Sequence, residues 1–286
     1  MSNLIPHLPA LQVVIPLFAA PLCLLAGRTG LAWIIALAAS SAATATAMAL
    51  AYLTYHNGVI SYQMGGWAPP WGIEYVVDTA NAFILLLVSS IATMVLIYSP
   101  ASVAKEIRPG RGHLYYCMYI LCLTGLLGIA ITGDAFNVFV FLEISSLSSY
   151  ALIAMGGQRK ALTAAFQYLV MGTIGATFFL IGVGLLYMMT GTLNMADLQT
   201  RIPGIQDSRP VLAAFAFITV GLALKAALFP MHLWLPNAYA YAPSGVSAFM
   251  AATATKVSLY VLLRFTFTIF GAKYAFGNLP LHWVLL

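Results

Sequence analysis

Two residues of opposite charge lie inside apolar stretches that are long enough to cross a membrane. Glu143 lies in FNVFVFLEISSLSSYALIAM, and Lys225 lies in VLAAFAFITVGLALKAALFP. A charge at the centre of a bilayer costs at least about 3 kcal/mol on insertion scales, so such residues are rare and usually functional. Burial disfavours the charged form of both groups, which can then exchange protons near neutral pH. The pair therefore predicts movement of protons or ions, controlled by the distance between the two side chains.

Two further residues extend this candidate set. Lys256 lies about 12 residues into the next apolar stretch, which at about 1.5 Å per residue is again near the middle of a bilayer. His232 follows Lys225 in the segment LFPMHLWLP. We predict that Glu143, Lys225, Lys256 and His232 take part in proton translocation. A relay between them needs water or hydroxyl groups, for which the candidates are Ser145, Ser146, Ser148, Ser149, Thr219, Thr253 and Thr255.

Each of these residues also has a simpler interpretation. Glu143 and Lys225 could form a static ion pair that fixes helix packing, and His232 could be a satisfied polar residue near a helix end. Asp134 is expected to cap the helix that carries Glu143, because a carboxylate is favoured at a helix N-terminus. Arg264 is expected to reach the outer membrane interface with its long side chain.

The composition indicates a membrane protein. The chain is 62% hydrophobic and 7% charged, whereas about 25% of the residues of a soluble domain are charged. Its net charge of +5 comes from scattered Lys and Arg residues with no basic face, so nucleic acid is not an expected partner. The three cysteines match no metal-binding spacing and are expected to be small core residues.

Apolar length predicts an all-α, polytopic bundle that forms one transmembrane domain over residues 1–286, at about 20 residues per crossing. Residues 278–286 are expected to begin a ninth span. Span seven should be a broken helix, because Pro230 and Pro236 cannot both fit one regular helix. We expect a helical segment to about Leu228, an unwound stretch and a short helix around His232. The eight predicted spans lie near 8–26, 31–54, 80–99, 114–132, 135–154, 162–190, 210–230 and 244–270.

Charged loops predict the orientation, because basic residues concentrate on the cytoplasmic side. The loops after spans one, three and five are basic, which places the N-terminus on the non-cytoplasmic side of a cell inner (plasma) membrane. Loop 55–79 is interpreted as an interfacial cap with aromatic residues, and loop 191–209 as the site of a short amphipathic helix. The basic residues of the predicted cytoplasmic loops are Arg28, Lys105, Arg108, Arg111, Arg159 and Lys160.

Two motifs resemble those of a known superfamily. GDAFNVFVFLEISSLSSYALIA and GLALKAALFPMHLWLPNAYAYAPSGVSAFMAATATKVSLYVLLRF occur in the order found in proton-translocating antiporter-like proteins. That superfamily includes membrane-arm subunits of respiratory complex I, membrane-bound hydrogenases and Mrp-type multisubunit cation/proton antiporters. The likeness runs from about residue 78 to residue 265, and the span-five motif and APSGVSA favour the D-type subunit of an Mrp-type sodium/proton antiporter.

The resemblance implies roles for particular residues. Glu143 matches the family's span-five glutamate, and Lys225 and His232 match the lysine and the histidine at the broken helix. Lys256 matches the lysine of span eight, whereas Asn237 stands where many relatives have Asp. Family members carry a second, inverted helical repeat. We expect the first repeat at about 114–270 and the second to be absent from this chain.

The expected function is that of a proton-conducting, ion-translocating subunit of a multisubunit Na⁺/H⁺ antiporter, with other membrane subunits as partners. A second possibility is a proton-pumping subunit of a complex I-like or hydrogenase-like redox complex. A third, an anchor for a haem- or quinone-bearing enzyme, needs histidines that face each other inside the bundle. His7, His56, His113 and His282 instead fall near predicted span ends. The sequence contains no nucleophilic triad and no phosphate-binding glycine loop, so we expect neither an organic cofactor nor an enzyme active site.

Overall fold

The computed structural model describes residues 5–278 and contains eleven α-helices and two short strands in that range. The fold class predicted from the sequence, an all-α polytopic bundle, is confirmed. The elements are α1 (Leu8–Ala26), α2 (Thr29–Asn57), β1 (Ile60–Gln63), β2 (Glu74–Val77), α3 (Thr79–Glu106), α4 (Gly112–Ile131), α5 (Ala135–Ala154), α6 (Arg159–Thr190), α7 (Met195–Arg201), α8 (Arg209–Lys225), α9 (Trp234–Tyr241), α10 (Ser244–Leu263) and α11 (Ala272–Asn278).

Seven helical segments of the described range are long and apolar enough to cross a membrane. They correspond to predicted spans one to six and span eight, whose helix α10 continues as a π-helical turn over Arg264–Ile269. The predicted span seven, 210–230, is instead the 17-residue helix α8, which ends at Lys225. The predicted start of a ninth span lies outside the described residues, apart from Asn278 at the end of α11.

Helix α4 lies at the centre of the bundle, because 83% of its membrane-spanning window is buried. Its buried face includes Tyr115, Tyr116 and Tyr119, none of which exposes measurable surface. Helices α6 and α8 approach closely through glycines, since a Cβ atom on Gly221 would lie 2.6 Å from the Gly175 carbonyl oxygen. Small residues commonly allow this approach in membranes, where packing rather than water exclusion drives association.

A cap covers the end of the bundle where α5 begins. The interpretation of loop 55–79 as an interfacial cap did not include regular structure, but the ends of the loop pair as the antiparallel hairpin β1–β2. The Glu74 carbonyl accepts from Gly133 N at 2.8 Å, and the Glu74 carboxylate accepts from Asn194 Nδ2 at 2.8 Å. Asn194 caps the predicted short helix, now α7, and Asp134 caps α5 by accepting from Asn137 N at 2.7 Å. The hairpin therefore ties the starts of α5 and α7 together.

Candidate functional site

The predicted break in span seven is present, but its boundaries differ from the prediction. Helix α8 ends at Lys225 rather than near Leu228, and no helix forms around His232, because α9 begins only at Trp234. Ala227 adopts a φ of 55°, which ends the helical path. Pro230 lacks an N–H group and could not have continued the helix. Lys225 therefore sits at the last helical residue before an eight-residue turn, 226–233.

An aromatic stack holds the far side of the break. Trp234 Nε1 donates to the Leu224 carbonyl at 3.1 Å, so the first residue of α9 contacts the last turn of α8. The Trp234 ring stacks on Tyr168 of α6 with centroids 4.0 Å apart and an interplanar angle of 4°. The indole N–H thus supplies a donor to the Leu224 carbonyl at the end of α8, where carbonyl groups have no partner within the helix.

The predicted acid–lysine pair forms beside the break. Lys225 Nζ lies 3.8 Å from Glu143 Oε1, and the exposed fractions of the two side chains are 3% and 27%. Lys225 Nζ donates to Ser146 Oγ at 2.6 Å. Glu143 and Ser146 are three residues apart on α5, so both face the lysine. Among the described residues, no donor hydrogen-bonds to Glu143 Oε1. The pair is thus an electrostatic contact that is too long for a hydrogen bond.

A small cavity of about 10 Å³ adjoins Lys225. This volume is about that needed for one water molecule. Ser145 and Ser149 also line it, and their hydroxyls donate to the carbonyls of Leu142 and Ser145 at 3.0 and 2.6 Å. Their oxygen lone pairs remain able to accept from a water. The polar residues around the cavity are Ser145, Ser146, Ser149, Tyr168, Lys225 and Ser258.

Two of the predicted site residues do not join this group. Lys256 was expected in the dry interior, but its side chain is exposed, and its Nζ donates to the Ala251 carbonyl of its own helix. The buried face of α10 instead carries Thr253 and Val257. His232 is half-buried in the turn, with its ring 5.7 Å from that of Phe229, and its Nδ1 has no partner among the described residues.

A second ion pair was missed in the sequence. Arg264, expected to reach the interface alone, forms an ion pair with Asp78 and donates from Nε to Tyr260 Oη at 2.9 Å. The pair lines a cavity of about 220 Å³ at the capped end of the bundle. The sequence pattern that could have indicated this pair was an acidic residue at the start of span three and a basic residue near the end of span eight, on the same side of the bundle. Among the described residues, no cluster of His, Cys, Asp and Glu could hold a metal ion.

Residues 132–284 match the family model described as NADH:quinone oxidoreductase/Mrp antiporter, TM. The chain is 47% identical over 261 residues to the N-type subunit of the NADH-quinone oxidoreductase of Desulforudis audaxviator, covering 90% of this chain and 52% of that protein. It is 33% identical over 220 residues to the D-type subunit of the Na⁺/H⁺ antiporter of Alkalihalophilus pseudofirmus, covering 77% and 44%. The chain therefore spans about half the length of the curated relatives it matches.

Two solved structures share the fold. A chain of the membrane-bound sulfane sulfur reductase, an archaeal respiratory membrane complex, matches with a TM-score of 0.87 and 32% identity over 95% of this chain and 55% of that one. A chain of the Mrp complex from Dietzia sp. DQ12-45-1b matches with a TM-score of 0.84 and 30% identity, covering 93% and 49%. One family accounts for the sequence match, the shared fold with its broken helix and the acid–lysine pair. The chain belongs to the NADH:quinone oxidoreductase/Mrp antiporter family of multi-pass membrane proteins.

Proposed function

We propose that the chain is the proton-conducting subunit of a multisubunit monovalent cation/proton antiporter, in which proton movement through Glu143 and Lys225 drives export of Na⁺ or a similar cation. The observation that carries the proposal is the loose pair of a buried lysine and a partly exposed glutamate beside a helix break. A buried ionisable residue inside a membrane usually marks an ion or proton pathway. Similarity to a subunit of the Alkalihalophilus pseudofirmus Na⁺/H⁺ antiporter favours cation exchange as the coupled process.

The proton step that we propose depends on separation. With Glu143 near, the lysine is stabilised in its protonated form; with Glu143 farther away, the buried ammonium loses its counter-charge and releases its proton. Ser146, which already accepts from Lys225 Nζ, and a water in the adjoining cavity are suitable carriers for the released proton. Lys256 and His232 would act at later steps, for which the relay needs further polar groups or water beyond the described contacts.

The remaining parts of the proposal concern the assembly. The chain would act as a transporter subunit rather than as an enzyme, beside other membrane subunits in the cell inner (plasma) membrane. Its N-terminus would face the non-cytoplasmic side, because the basic loops lie at the opposite end of the bundle. Residues 114–270 would form the first of two helical repeats.

The experiment is Na⁺-induced proton flux in vesicles that contain the whole complex. Glu143→Ala and Lys225→Ala should each abolish flux, because either change removes one partner of the proton step. Asp207→Asn is the control, since it removes an exposed charge just before α8, at the opposite end of that helix from Lys225. Normal flux in both test variants, with the complex intact, would exclude the mechanism.

A second candidate keeps the same proton step but couples it to electron transfer. The 47% identity to a subunit of an NADH-quinone oxidoreductase favours it, as does the likeness to a chain of a respiratory membrane complex. Purification of the complex discriminates the two. Redox subunits that co-purify with the chain, together with proton flux that requires an electron donor rather than Na⁺, would replace the antiporter proposal.

A further inference from the structure

A groove lies at the end of the bundle opposite the β-hairpin cap, where α2 and α4 begin and α3 ends. Its volume is about 270 Å³. The starts of α2 and α4 touch there, since a Cβ on Gly112 would lie 2.3 Å from the Thr29 side chain. The residues that line the groove are Thr29, Gly30, Trp33, Pro100, Val103, Ala104, Ile107, Arg108, Pro109, Gly110, Gly112 and Tyr116.

Positive charge surrounds this groove. Arg108 lines it, and Arg28 and Arg111 directly precede the helices that begin at its edge. Within residues 5–278, none of these three arginines forms an ion pair. The nearby carboxylate of Glu106 does not line the groove and is occupied elsewhere, since it accepts from Ser244 N at 2.7 Å and from the Ser244 hydroxyl. One arginine therefore lines the groove and two more lie next to lining residues in the chain, and none of the three has an acidic partner among the described residues.

The two helix starts add to this charge. Arg28 and Arg111 occupy the N-cap positions of α2 and α4, and neither side chain accepts a hydrogen bond from the first turn. N-cap residues normally supply an oxygen acceptor, because helix N-termini carry free N–H groups and partial positive charge. Arginine provides only donors. The arginines and the two helix starts therefore favour an anion in the same place.

The groove wall is suited to lipid. Trp33, Val103 and Ile107 supply apolar surface, and Trp33 Nε1 donates to the Leu96 carbonyl at 2.8 Å, which fixes the ring at the wall. Tryptophan is enriched where the bilayer meets water. Basic pockets between transmembrane helices are suited to acidic lipid headgroups. A free phosphate ion would use the charge of this groove but not its apolar wall.

We propose that the groove between α2, α3 and α4 binds an anionic phospholipid, with its phosphate at Arg108, Arg28 and Arg111 and its acyl chains beside Trp33 and Ile107. Charge complementarity and the apolar wall select a lipid over a soluble anion. The site lies apart from Glu143 and Lys225 and does not depend on the transport proposal.

The test is binding of phosphatidylglycerol to the purified complex in nanodiscs, counted by native mass spectrometry against phosphatidylcholine. Arg108→Ala should lower the affinity for phosphatidylglycerol about fivefold, the effect expected for one basic residue near a charged headgroup. Arg159→Ala, which removes a charge from the start of α6 at the same end of the bundle, should leave the affinity unchanged. An equal loss in both variants would mean attraction by overall charge alone and would overturn the site.

A second pair of variants fills the groove without changing its charge. Gly30→Leu should remove selective binding, because a Cβ on Gly30 meets no atom within 4 Å and a larger side chain can extend into the groove. Ala104→Phe fills the same space from α3 and serves if Gly30→Leu does not assemble. Selective binding that survives both changes would overturn the proposal. So would displacement of the lipid by millimolar inorganic phosphate, which would identify a site for the free ion instead.

Discussion

Two ion pairs in the described part of the chain, Asp78–Arg264 and Glu143–Lys225, differ in geometry. Arg264 and Asp78 are in direct contact and are each 24% exposed, and Arg264 Nε also donates a hydrogen bond to Tyr260 Oη. Lys225 and Glu143 are 3.8 Å apart, the lysine is 3% exposed, and one carboxylate oxygen lacks a donor. A tight pair with additional hydrogen bonds stabilises one arrangement of helices. In the looser pair Glu143 is 27% exposed while the lysine is buried, so the lysine charge is poorly compensated and sensitive to small displacements of the carboxylate.

If the proposed function holds, this difference gives the two pairs different tasks. The Asp78–Arg264 pair joins the start of α3 to the end of α10, and Asp78 also caps α3 by accepting from Asn81 N at 2.9 Å. We interpret it as a static contact that holds these two helix ends together, and we call the Asp78–Arg264 pair the clamp. The Glu143–Lys225 pair lies beside a helix break, where the backbone can move more readily than in a continuous helix. We interpret it as the part that changes during turnover.

The variant with the largest expected effect on proton flux tests whether Lys225 must release its proton. Lys225→Arg keeps a positive charge beside Glu143, but a guanidinium stays protonated at any accessible pH. We therefore expect proton flux to fall by about 100-fold or more, the scale of a lost acid–base group. Arg264→Lys is the matched exchange at the clamp and should retain most of the flux. Near-normal flux in the Lys225→Arg complex would mean that this pair is also static.

The clamp should affect stability more than transport. Asp78→Ala removes the ion pair and the cap of α3, and we expect a loss of about 2 kcal/mol from the sum of a cap and a charged hydrogen bond. Thermal unfolding of the purified complex measures it, and flux per folded complex should stay within about twofold. In the double variant Asp78→Ala/Arg264→Ala, the loss should be smaller than the sum of the single losses. Additive losses would show that the two residues do not interact.

The smallest expected effect on proton flux comes from removing the Ser146 hydroxyl beside Lys225. Ser146→Ala removes the acceptor of the 2.6 Å hydrogen bond from Lys225 Nζ, and we expect about fivefold slower flux from the loss of about 1 kcal/mol. Ser148→Ala is the control, because its hydroxyl donates only to the carbonyls of Ile144 and Ser145 and does not line the cavity. Equal rates in the two variants would remove Ser146 from the proton step.

Much of the fold could be predicted because apolar length and proline spacing are local signals. They located seven of the long helices and predicted a break in span seven, which begins after Lys225 rather than near Leu228. The orientation of a residue around its helix was harder to predict. The helices are apolar on all sides, so no amphipathic pattern shows which face is buried. Lys256 was placed inside for this reason, although it lies off the buried face of α10.

Contacts between segments that are distant in the chain also could not be predicted from the sequence pattern. Asp78 and Arg264 are 186 positions apart, and only the fold brings them together. The hairpin was missed because its strands have four residues each, and the segment between them, rich in Gly, Pro and Trp, was interpreted only as an interfacial cap. The Glu143–Lys225 pair was predictable because each residue is a charge in an apolar stretch, but its 3.8 Å separation depends on where α8 stops.

The stacked indole at the break has a practical consequence for spectroscopy. Trp234 is 2% exposed and lies parallel to Tyr168, while its N–H is bound to the carbonyl next to Lys225. Trp67 and Trp71, by contrast, are 71% and 88% exposed. In a chain whose other four tryptophans are replaced by phenylalanine, the emission of this single fluorophore would respond to any rearrangement of the turn. Trp234 would thus serve as an optical reporter for the turn that follows Lys225.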